Sequence, residues 1–411
     1  MNAAKKALYG LVEWVDARFP LTELWNEHAA KYYAPKNFNF WYYFGSLALV
    51  VLLIEIVTGI WLTMSYKPDA GLAFGSVEYI MRDVKWGWLL RYLHSTGASA
   101  FFLIIYLHMF RGLLYGSYKR PREFLWLTGA ALFFLLMAQA FTGYLLPWGQ
   151  MSFWAAQVIT ALFGAIPYIG ETLVEWVRGD YMVSDMTLNR FFAFHVVAIP
   201  LVLIGFVVIH ILALHKVGSG NPDGVEINYT KDAQGIPLDS VPFHPYYTVK
   251  DLVGIVVFLI LFFIVVFFMP EFGGLFLEYD NFVPANPLST PEHIKPAWYL
   301  TPFYAILRAI PNKMLGVIAL GASVFLFFLL PWLDRSPVKS IRYRGVYYRT
   351  ALGIFVVSFL VLGYLGTQPA VGVMTRLAQV FTGFYFAFFL LMPIYTKLDK
   401  NKPVPERMSY P

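Results

Sequence analysis

The stretch "RYLHSTGASAFFLIIYLHMFRG", residues 91–112, is apolar enough for a membrane interior, yet it carries two histidines, His94 and His108. Over this fourteen-residue step an α-helix rises about 21 Å and returns to within roughly 40° of the same face. Both imidazoles therefore point to one side of a single helix, one near each surface of a bilayer. Ionisable groups inside a membrane are costly, which favours a functional role for both.

The whole chain has the composition of an integral membrane protein. Of its 411 residues, 58% are hydrophobic and 14% are charged, against about 45–50% and about 25% in soluble domains. Runs close to the ~20 apolar residues that cross a bilayer predict an all-α protein with eight transmembrane helices, at residues 41–64, 88–110, 124–147, 190–214, 250–269, 314–333, 350–366 and 376–395.

Two shorter segments predict helices that do not span the membrane: the first would lie at the membrane surface or re-enter it, and the second would lie at the surface. Residues 152–167 are apolar but too short to span, and the start, "MNAAKKALYGLVEWVDARF", is amphipathic. This start lacks the uninterrupted apolar core of a cleaved signal peptide, so we expect the mature chain to begin here.

The basic residues are distributed unevenly between the two sides of the membrane. Twenty of the 31 Lys and Arg residues lie in one set of alternating loops and ends, and six lie in the other. By the positive-inside rule both termini are cytoplasmic. The net charge of +6 follows from this topology and does not indicate nucleic-acid binding. A polar loop at 215–237 separates an N-terminal half, 1–215, from a C-terminal half, 216–411.

A second pair of histidines repeats the first. His195 and His210 lie in the fourth predicted span, which runs parallel to the second, so His94 can face His195 and His108 can face His210. One histidine in an apolar helix is usually a hydrogen-bonded core residue, but two matched pairs at two depths favour bis-imidazole coordination of two haems. The first four spans are therefore predicted to form a di-haem four-helix bundle.

Glycines and arginines are placed to support that prediction. Gly45 and Gly59 in span one, and Gly129 and Gly143 in span three, share the fourteen-residue step and would let a flat macrocycle approach the backbone. Ordinary close packing of small residues is the alternative. Arginines near the ends of these spans could pair with haem propionates or could be interfacial anchors: Arg91, Arg111 and Arg190.

The sequence contains no cysteine. The chain therefore holds no disulfide, cysteine-bound iron–sulfur cluster or thioether-linked haem. Any such centre must belong to a partner.

The chain resembles the cytochrome b family of bc1 complexes, the ubiquinol:cytochrome c oxidoreductases, over nearly all its length. The segments that carry the resemblance are "TGYLLPWGQMSFW" (142–154), "IGETLVEW" (169–176), "RFFAFH" (190–195), "FHPYYTVKD" (243–251) and "KPAWYLTPFYAILRAIPNK" (295–313). The resemblance implies low-potential haem b between His94 and His195, and high-potential haem b between His108 and His210. It also implies a Rieske iron–sulfur protein, cytochrome c1 and a second copy of the chain as partners.

One departure from the family pattern concerns helix geometry. The step from His195 to His210 is fifteen residues where the family usually has fourteen, as in the related cytochrome b6. One extra residue adds about 100° of rotation, and Pro200, which bends a helix, could absorb it. Cytochrome b6 is much shorter and attaches an extra haem through cysteine, so length and cysteine count favour cytochrome b.

A second departure concerns proton transfer. "PAWY" at 296–299 has Ala297 where the family commonly has a glutamate that accepts a proton. Glu292 is the nearest replacement, and Glu171 and Glu175 are others, although each could be a solvated loop carboxylate. Glu55 lies one turn from Gly59, where it could bond a haem propionate or be satisfied by a neighbouring helix.

The resemblance assigns quinol oxidation to the loop at 270–312. Six prolines between Pro284 and Pro311 argue against a regular helix there, and irregular backbone at membrane depth has to be buried or line a cavity. The expected pocket residues are Pro296, Trp298 and Tyr299 of this loop and Tyr144 at the end of span three.

The expected quinone-reducing site lies at the inner surface. His215 lies five residues after His210, and Asp251 begins span five on the same side. A histidine and a carboxylate could hydrogen-bond the two carbonyls of a quinone and deliver protons. Ser219 and Lys250 are nearby candidates. Without the resemblance, the competing functions are a haem-free secondary transporter and a di-haem membrane anchor of a dehydrogenase.

Overall fold

The structure is a computed structural model, and it describes residues 3–408. The two ends of the chain, which the sequence places in the cytoplasm, lie outside these residues. Within them, eight helices are long and apolar enough to cross a membrane, which confirms the prediction. We number them spans one to eight: Phe40–Thr63, Gly87–Tyr115, Glu123–Leu145, Asp185–Val217, Phe243–Phe268, Lys313–Leu333, Val346–Gly366 and Gly372–Leu390.

The first four spans pack as two pairs. Span one lies against span two, and span three lies against span four. Span two is one uninterrupted α-helix, so the fourteen-residue step between His94 and His108 has the geometry that the sequence predicts.

Span four is built differently, and the difference accommodates its fifteen-residue step. It consists of an α-helix over Asp185–Ala193, a π-helical turn over Phe194–Ala198 and a second α-helix over Ile199–Val217. The N–H of Ile199 donates to the carbonyl of Phe194, five residues back. A π turn adds one residue to an α-helix, so this turn takes up the extra residue. Pro200 follows directly, in the first turn of the second α-helix, where a proline is tolerated.

Short helices connect the spans. Thr301–Ala309 lies inside the proline-rich loop, where the sequence predicts no regular helix. The helix forms because Pro302 occupies its first turn, where no N–H is required, and Pro311 comes after its end. The other short helices are Ala3–Asp16, Leu21–Trp25, Ala73–Arg82, Gln150–Ala161, Gly170–Arg178 and Met392–Leu398.

In the described residues the only sheet is a two-stranded antiparallel ribbon. Tyr33–Pro35 pairs with Ser240–Pro242, which joins the segment before span one to the segment before span five. Asp239, next to the ribbon, contacts Lys36 at 2.7 Å and Arg407 at 2.9 Å. Burial by itself raises the pKa of Asp239, but the hydrogen bonds from Arg407, Lys36 and Met408 and the charge of Lys36 outweigh it and lower the pKa to about 2.

Spans six to eight pack with the helix Thr301–Ala309 around one apolar core, which Leu113, Tyr118 and Trp126 also join. One buried ion pair lies at the edge of this core, where Arg344 contacts Asp334 and both side chains have 0% exposure. Tyr118 donates a hydrogen bond to the same carboxylate at 2.6 Å. The pair therefore ties the loop after span two to the loop between spans six and seven.

Candidate functional site

The structure brings the four span histidines together in two pairs. The ring centroids of His94 and His195 are 6.1 Å apart, and those of His108 and His210 are 6.5 Å apart. Each pair joins span two to span four. The partners are those that the parallel directions of the two helices predict.

Hydrogen bonds determine which ring nitrogen carries the proton in three of the four histidines. Nδ1 of His195 lies 2.9 Å from the carbonyl of Gln139, which can only accept. Nδ1 of His94 lies 3.0 Å from the hydroxyl of Thr58, which itself donates to the carbonyl of Ile54. His210 has the same relation to Thr128 at 2.9 Å, and Thr128 donates to Leu125. Nδ1 therefore carries the proton in these rings, which leaves the Nε2 lone pair for a metal.

The fourth ring is that of His108, and the carboxylate of Glu55 also lies beside the histidines. Nδ1 of His108 is buried and has no hydrogen-bonding partner among the described residues. The carboxylate of Glu55 lies 3.1 Å from Nδ1 of His94, so it supports the same ring as Thr58. Glu55 is therefore beside the outer histidine pair, where the sequence predicts it.

The four glycines make room for these rings. A Cβ built on Gly59 would lie 3.2 Å from His94, one on Gly45 would lie 3.4 Å from His108, and one on Gly129 would lie 3.1 Å from His210; one on Gly143 would overlap His195. The sequence suggests that these glycines admit the edge of a macrocycle. The nearest protein atoms are instead those of an imidazole on the neighbouring span.

The spacing of each pair fits a metal ion between the rings. An imidazole nitrogen binds a transition metal at about 2 Å, so the centroids of two rings on opposite sides of one ion lie roughly 6 Å apart. Both pairs have this separation. Two nitrogens leave most of the coordination sphere to another ligand, as in a haem with two axial histidines. The residues present therefore fit bis-imidazole haem.

The three arginines have different surroundings. Arg111 lines the cavity beside His108 and His210. It donates to the hydroxyl of Ser117 at 3.0 Å and lies over the ring of Tyr42. Arg91 lies within electrostatic reach of Glu55. Arg190 donates to the carbonyl of Trp176 in the helix Gly170–Arg178.

One cavity of about 440 Å³ connects the inner histidine pair to the inner-surface candidates. It is lined by His108 and His210 and continues to four predicted residues, His215, Ser219, Lys250 and Asp251. The carboxylate of Asp251 accepts a hydrogen bond from Ser46 at 2.8 Å. The ring of His215 stacks on Tyr32 with centroids 4.5 Å apart.

The hydroxyl and ammonium candidates are held at the edge of this cavity. Ser219 donates to the carbonyl of Gly220 at 3.1 Å. Lys250 lies over the rings of Tyr246 and Tyr247.

At the outer side, the loop between spans five and six closes over the end of span three. Pro296, Ala297 and Tyr299 are buried. The ring of Tyr299 stacks on Phe102 at 3.9 Å, and the indole N–H of Trp298 donates to Ser99 at 3.1 Å. These contacts fix the aromatic wall that the sequence predicts around Tyr144.

The chain is similar to proteins of one known family over most of its length. A family model described as cytochrome b/b6/petB matches residues 29–218, and one described as cytochrome b (C-terminal)/b6/petD matches residues 284–386. A cytochrome b from Allochromatium vinosum is 62% identical over 406 residues, which are 97% of this chain and 98% of the relative. The chain belongs to the cytochrome b family. Family membership makes it an electron-transport protein that binds haem b.

Two further comparisons extend this result. A protein named cytochrome b/c1 from Bradyrhizobium diazoefficiens is 46% identical over 399 residues, which are 97% of this chain and 56% of that protein. A solved structure described as a hyperthermophilic respiratory Complex III matches with a TM-score of 0.87 and 41% identity, covering 94% of this chain and 99% of that one.

Sequence reasoning did not find one acidic residue of the outer loop. Glu278 is only 4% exposed and accepts a hydrogen bond from the hydroxyl of Tyr144 at 3.0 Å. The three acids proposed from the sequence, Glu171, Glu175 and Glu292, are all exposed. The sequence offers only a weak signal for Glu278, because a single carboxylate in an aperiodic loop gives no indication of burial.

Proposed function

We propose that this chain is the di-haem, quinone-reactive subunit of a bacterial bc1-type Complex III, a quinol:cytochrome c oxidoreductase. The proposal rests on the two pairs of facing histidines, one pair at each of two depths. The ring centroids are 6.1 Å apart in one pair and 6.5 Å apart in the other. The likeness to the respiratory Complex III structure over 94% of this chain supports it.

In this proposal His94 and His195 hold the low-potential haem bL near the outer surface, and His108 and His210 hold the high-potential haem bH near the inner one. When bound, the two haems supply one-electron carriers in series across the membrane. The chain would contribute the imidazole nitrogens that hold the haems, the Nδ1 hydrogen bonds that set the protonation of three of the four rings, and the glycines that clear space beside the rings. Arg91, Arg111 and Arg190 are the candidates to pair with haem propionates.

Quinone reduction is proposed in the inner cavity. His215 and Asp251 hydrogen-bond the two carbonyls of the quinone and donate protons as electrons arrive. Ser46 holds the Asp251 carboxylate in place, and Ser219 and Lys250 border the same space. Because this space also contains His108 and His210, the quinone would lie beside the inner haem.

Quinol oxidation is proposed in the outer loop, against Tyr144, Pro296, Trp298 and Tyr299. A quinol loses two electrons and two protons there, and the protons leave on the outer side. One electron would be taken inward by the haems that the four histidines would hold. The other needs an acceptor in a partner, because the chain has no cysteine to hold an iron–sulfur cluster.

The proposed partners are a Rieske iron–sulfur protein, cytochrome c1 and a second copy of this chain. Support for cytochrome c1 comes from the Bradyrhizobium relative, whose printed name joins b and c1 and of which this chain covers 56%. The proposed location is the bacterial cytoplasmic membrane, with both termini on the cytoplasmic side, because 20 of the 31 basic residues lie on that side.

The two competing functions have less support. A haem-free transporter gives no reason for facing, Nδ1-protonated histidines. A di-haem anchor of a dehydrogenase leaves residues 284–386, which match the C-terminal cytochrome b model, without a role.

A redox-titrated optical spectrum of the purified complex tests the proposal. Wild type should show two haem b components; His94→Ala should lose the low-potential one and His108→Ala the high-potential one. His244→Ala is the matched control, because this histidine lies outside both pairs and contacts Trp25 and Thr248. If both ligand variants kept two normal haems, the assignment would be wrong.

A further inference from the structure

Glu278 is a buried carboxylate in a loop whose neighbouring residues face outward. Its exposed fraction is 4%, whereas Tyr279 and Asp280, which follow it, are exposed. A carboxylate is rarely buried without a partner or a function. Glu278 is thus one residue away from solvent on the outer side, although it faces the interior.

Its hydrogen bonds connect it to the outer quinol site. The hydroxyl of Tyr144 donates to Glu278 at 3.0 Å, and the amide of Asn281 donates both to Tyr144 at 3.0 Å and to Glu278 at 3.5 Å. The carboxylate is the final acceptor of this short network. Tyr144 already belongs to the proposed quinol pocket.

The loop that carries Glu278 is fixed in position. The side chain of Asn281 accepts from the N–H of Ser152 at 2.8 Å, and the N–H of Gln150 donates to the carbonyl of Val283 at 2.9 Å. These bonds attach residues 281–283 to the start of the helix Gln150–Ala161. Glu278 therefore lies three residues before a segment that is anchored to this helix.

The titratable groups that face Glu278 are few. Tyr144 comes from span three, and Lys295 and Tyr299 come from the segment around Ala297. Burial raises the pKa of Glu278 to about 7, and the hydrogen bonds and the charge of Lys295 oppose this only in part. A general base is most effective when its pKa lies near the operating pH.

We propose that Glu278 is the proton acceptor for quinol oxidation at the outer site, and that it replaces the carboxylate missing at Ala297. This inference rests on the proposed function. Quinol loses two electrons and two protons; the ionised Glu278 takes one proton from a quinol hydroxyl and becomes neutral. One electron would go to the partner's iron–sulfur cluster and the other to the haems that this chain would hold, and a basic side chain of the partner would accept the second proton. Glu278 then releases its proton to the outer water beside Asp280.

Other acids of the chain are less suitable. Glu292, Glu171 and Glu175 are exposed to solvent. Water already hydrates these carboxylates, so the buried surroundings of the quinol site do not act on them. Glu55 is buried but contacts His94, a proposed haem ligand.

The test is the pH profile of quinol oxidation by the purified complex carrying Glu278→Gln. We expect a fall of about 10²-fold and loss of the inflection near pH 7, below which the protonated wild-type carboxyl cannot accept. Glu271→Gln, the same change at a half-buried carboxylate of the same loop, should leave rate and profile unchanged. Adding A297E to E278Q should restore most of the rate, because it returns a carboxylate to the site.

Two measurements separate this inference from the proposed function. The haem spectrum and quinol reduction of the inner haem through the inner site should be normal in E278Q. A wild type without haem or quinol oxidation would overturn the proposed function itself. A normal E278Q rate with an unchanged pH profile would overturn only the role of Glu278.

A second variant covers the case in which E278Q does not assemble. Tyr144→Phe removes the hydroxyl that donates to Glu278, so it should raise the pKa and move the inflection to higher pH. An inflection that stayed in place would contradict the proposal.

Discussion

Gln139 and His195 are joined by two hydrogen bonds that run in opposite directions. Nδ1 of His195 donates to the carbonyl of Gln139 at 2.9 Å, and the Gln139 amide donates to the carbonyl of His195 at 2.8 Å. In a π turn the carbonyl of residue 195 would accept from the N–H of residue 200. Pro200 has no N–H, so the side chain of Gln139 satisfies this carbonyl instead.

Gln139→Leu should therefore weaken the outer haem site. It leaves the buried His195 carbonyl without a donor, which costs about 1–3 kcal/mol, and supporting residues of this kind change metal affinity by about 10–100-fold. We expect a lower haem-to-protein ratio, confined to the low-potential component. Gln379→Leu is the matched control, because Gln379 in span eight also donates to a main-chain carbonyl, that of Ala309 at 3.0 Å, and its helix carries none of the four histidines. Equal haem retention in both variants would contradict this role.

Alanine substitutions at the glycines should damage haem binding in proportion to the space that is lost. Gly143→Ala should abolish the outer haem, because the new Cβ would overlap His195, whereas Gly45→Ala, at 3.4 Å from His108, should be the mildest of the four. The haem content of each purified complex measures the effect. Gly205→Ala, which meets nothing within 4 Å, should retain both haems; a loss there as large as at Gly143 would point to general helix packing.

At the inner site, Asp251→Asn should slow quinone reduction by at least about 10-fold, because the amide cannot deliver a proton. Ser46→Ala should have a smaller effect, since it removes only the bond that positions the carboxylate. The measurement is the reverse of this step, reduction of the inner haem by quinol at the inner site with the outer site blocked by an inhibitor, in which Asp251 would have to accept the proton that it otherwise delivers. Asp232→Asn, at an exposed carboxylate in the loop before span five, should react at the wild-type rate. Normal kinetics in D251N would remove Asp251 from the site.

The buried pair Asp334–Arg344 should matter for stability and not for catalysis. Arg344→Leu leaves a carboxylate without its main partner at 0% exposure, and breaking a buried pair costs about 3–5 kcal/mol. Thermal unfolding of the complex should shift to lower temperature while the haem spectrum below the transition stays normal. Arg82→Ala breaks the exposed pair with Glu78 and should change stability by less than about 1 kcal/mol. Similar losses in both variants would argue against this interpretation.

The sequence predicts most of the membrane architecture because hydropathy and helical periodicity are local properties. All eight spans overlap their predicted runs, and the pairing of His94 with His195 follows from the directions of spans two and four. The boundary between the two halves at residues 215 and 216 stays a prediction. So do the roles of the individual site residues.

What the sequence could not provide depends on contacts between distant segments. It shows that span four has one residue too many, but the π turn at Phe194–Ala198 depends on a donor from Gln139 in span three. Likewise, Glu292 is nearest to Ala297 in the chain, whereas Glu278 is the acid that folding buries against Tyr144. The helix Thr301–Ala309 forms in a proline-rich loop because its proline falls in the first turn.

The π turn also gives the two histidine-bearing helices different tolerance to changes in length. Deleting one residue near Val197 would let span four relax to a regular α-helix while His195 and His210 kept their facing. Span two has no π turn that could absorb a change in length. The same deletion between His94 and His108 would therefore rotate one imidazole away from its partner. Insertions and deletions between ligands should therefore be accepted in one helix of the pair and rejected in the other.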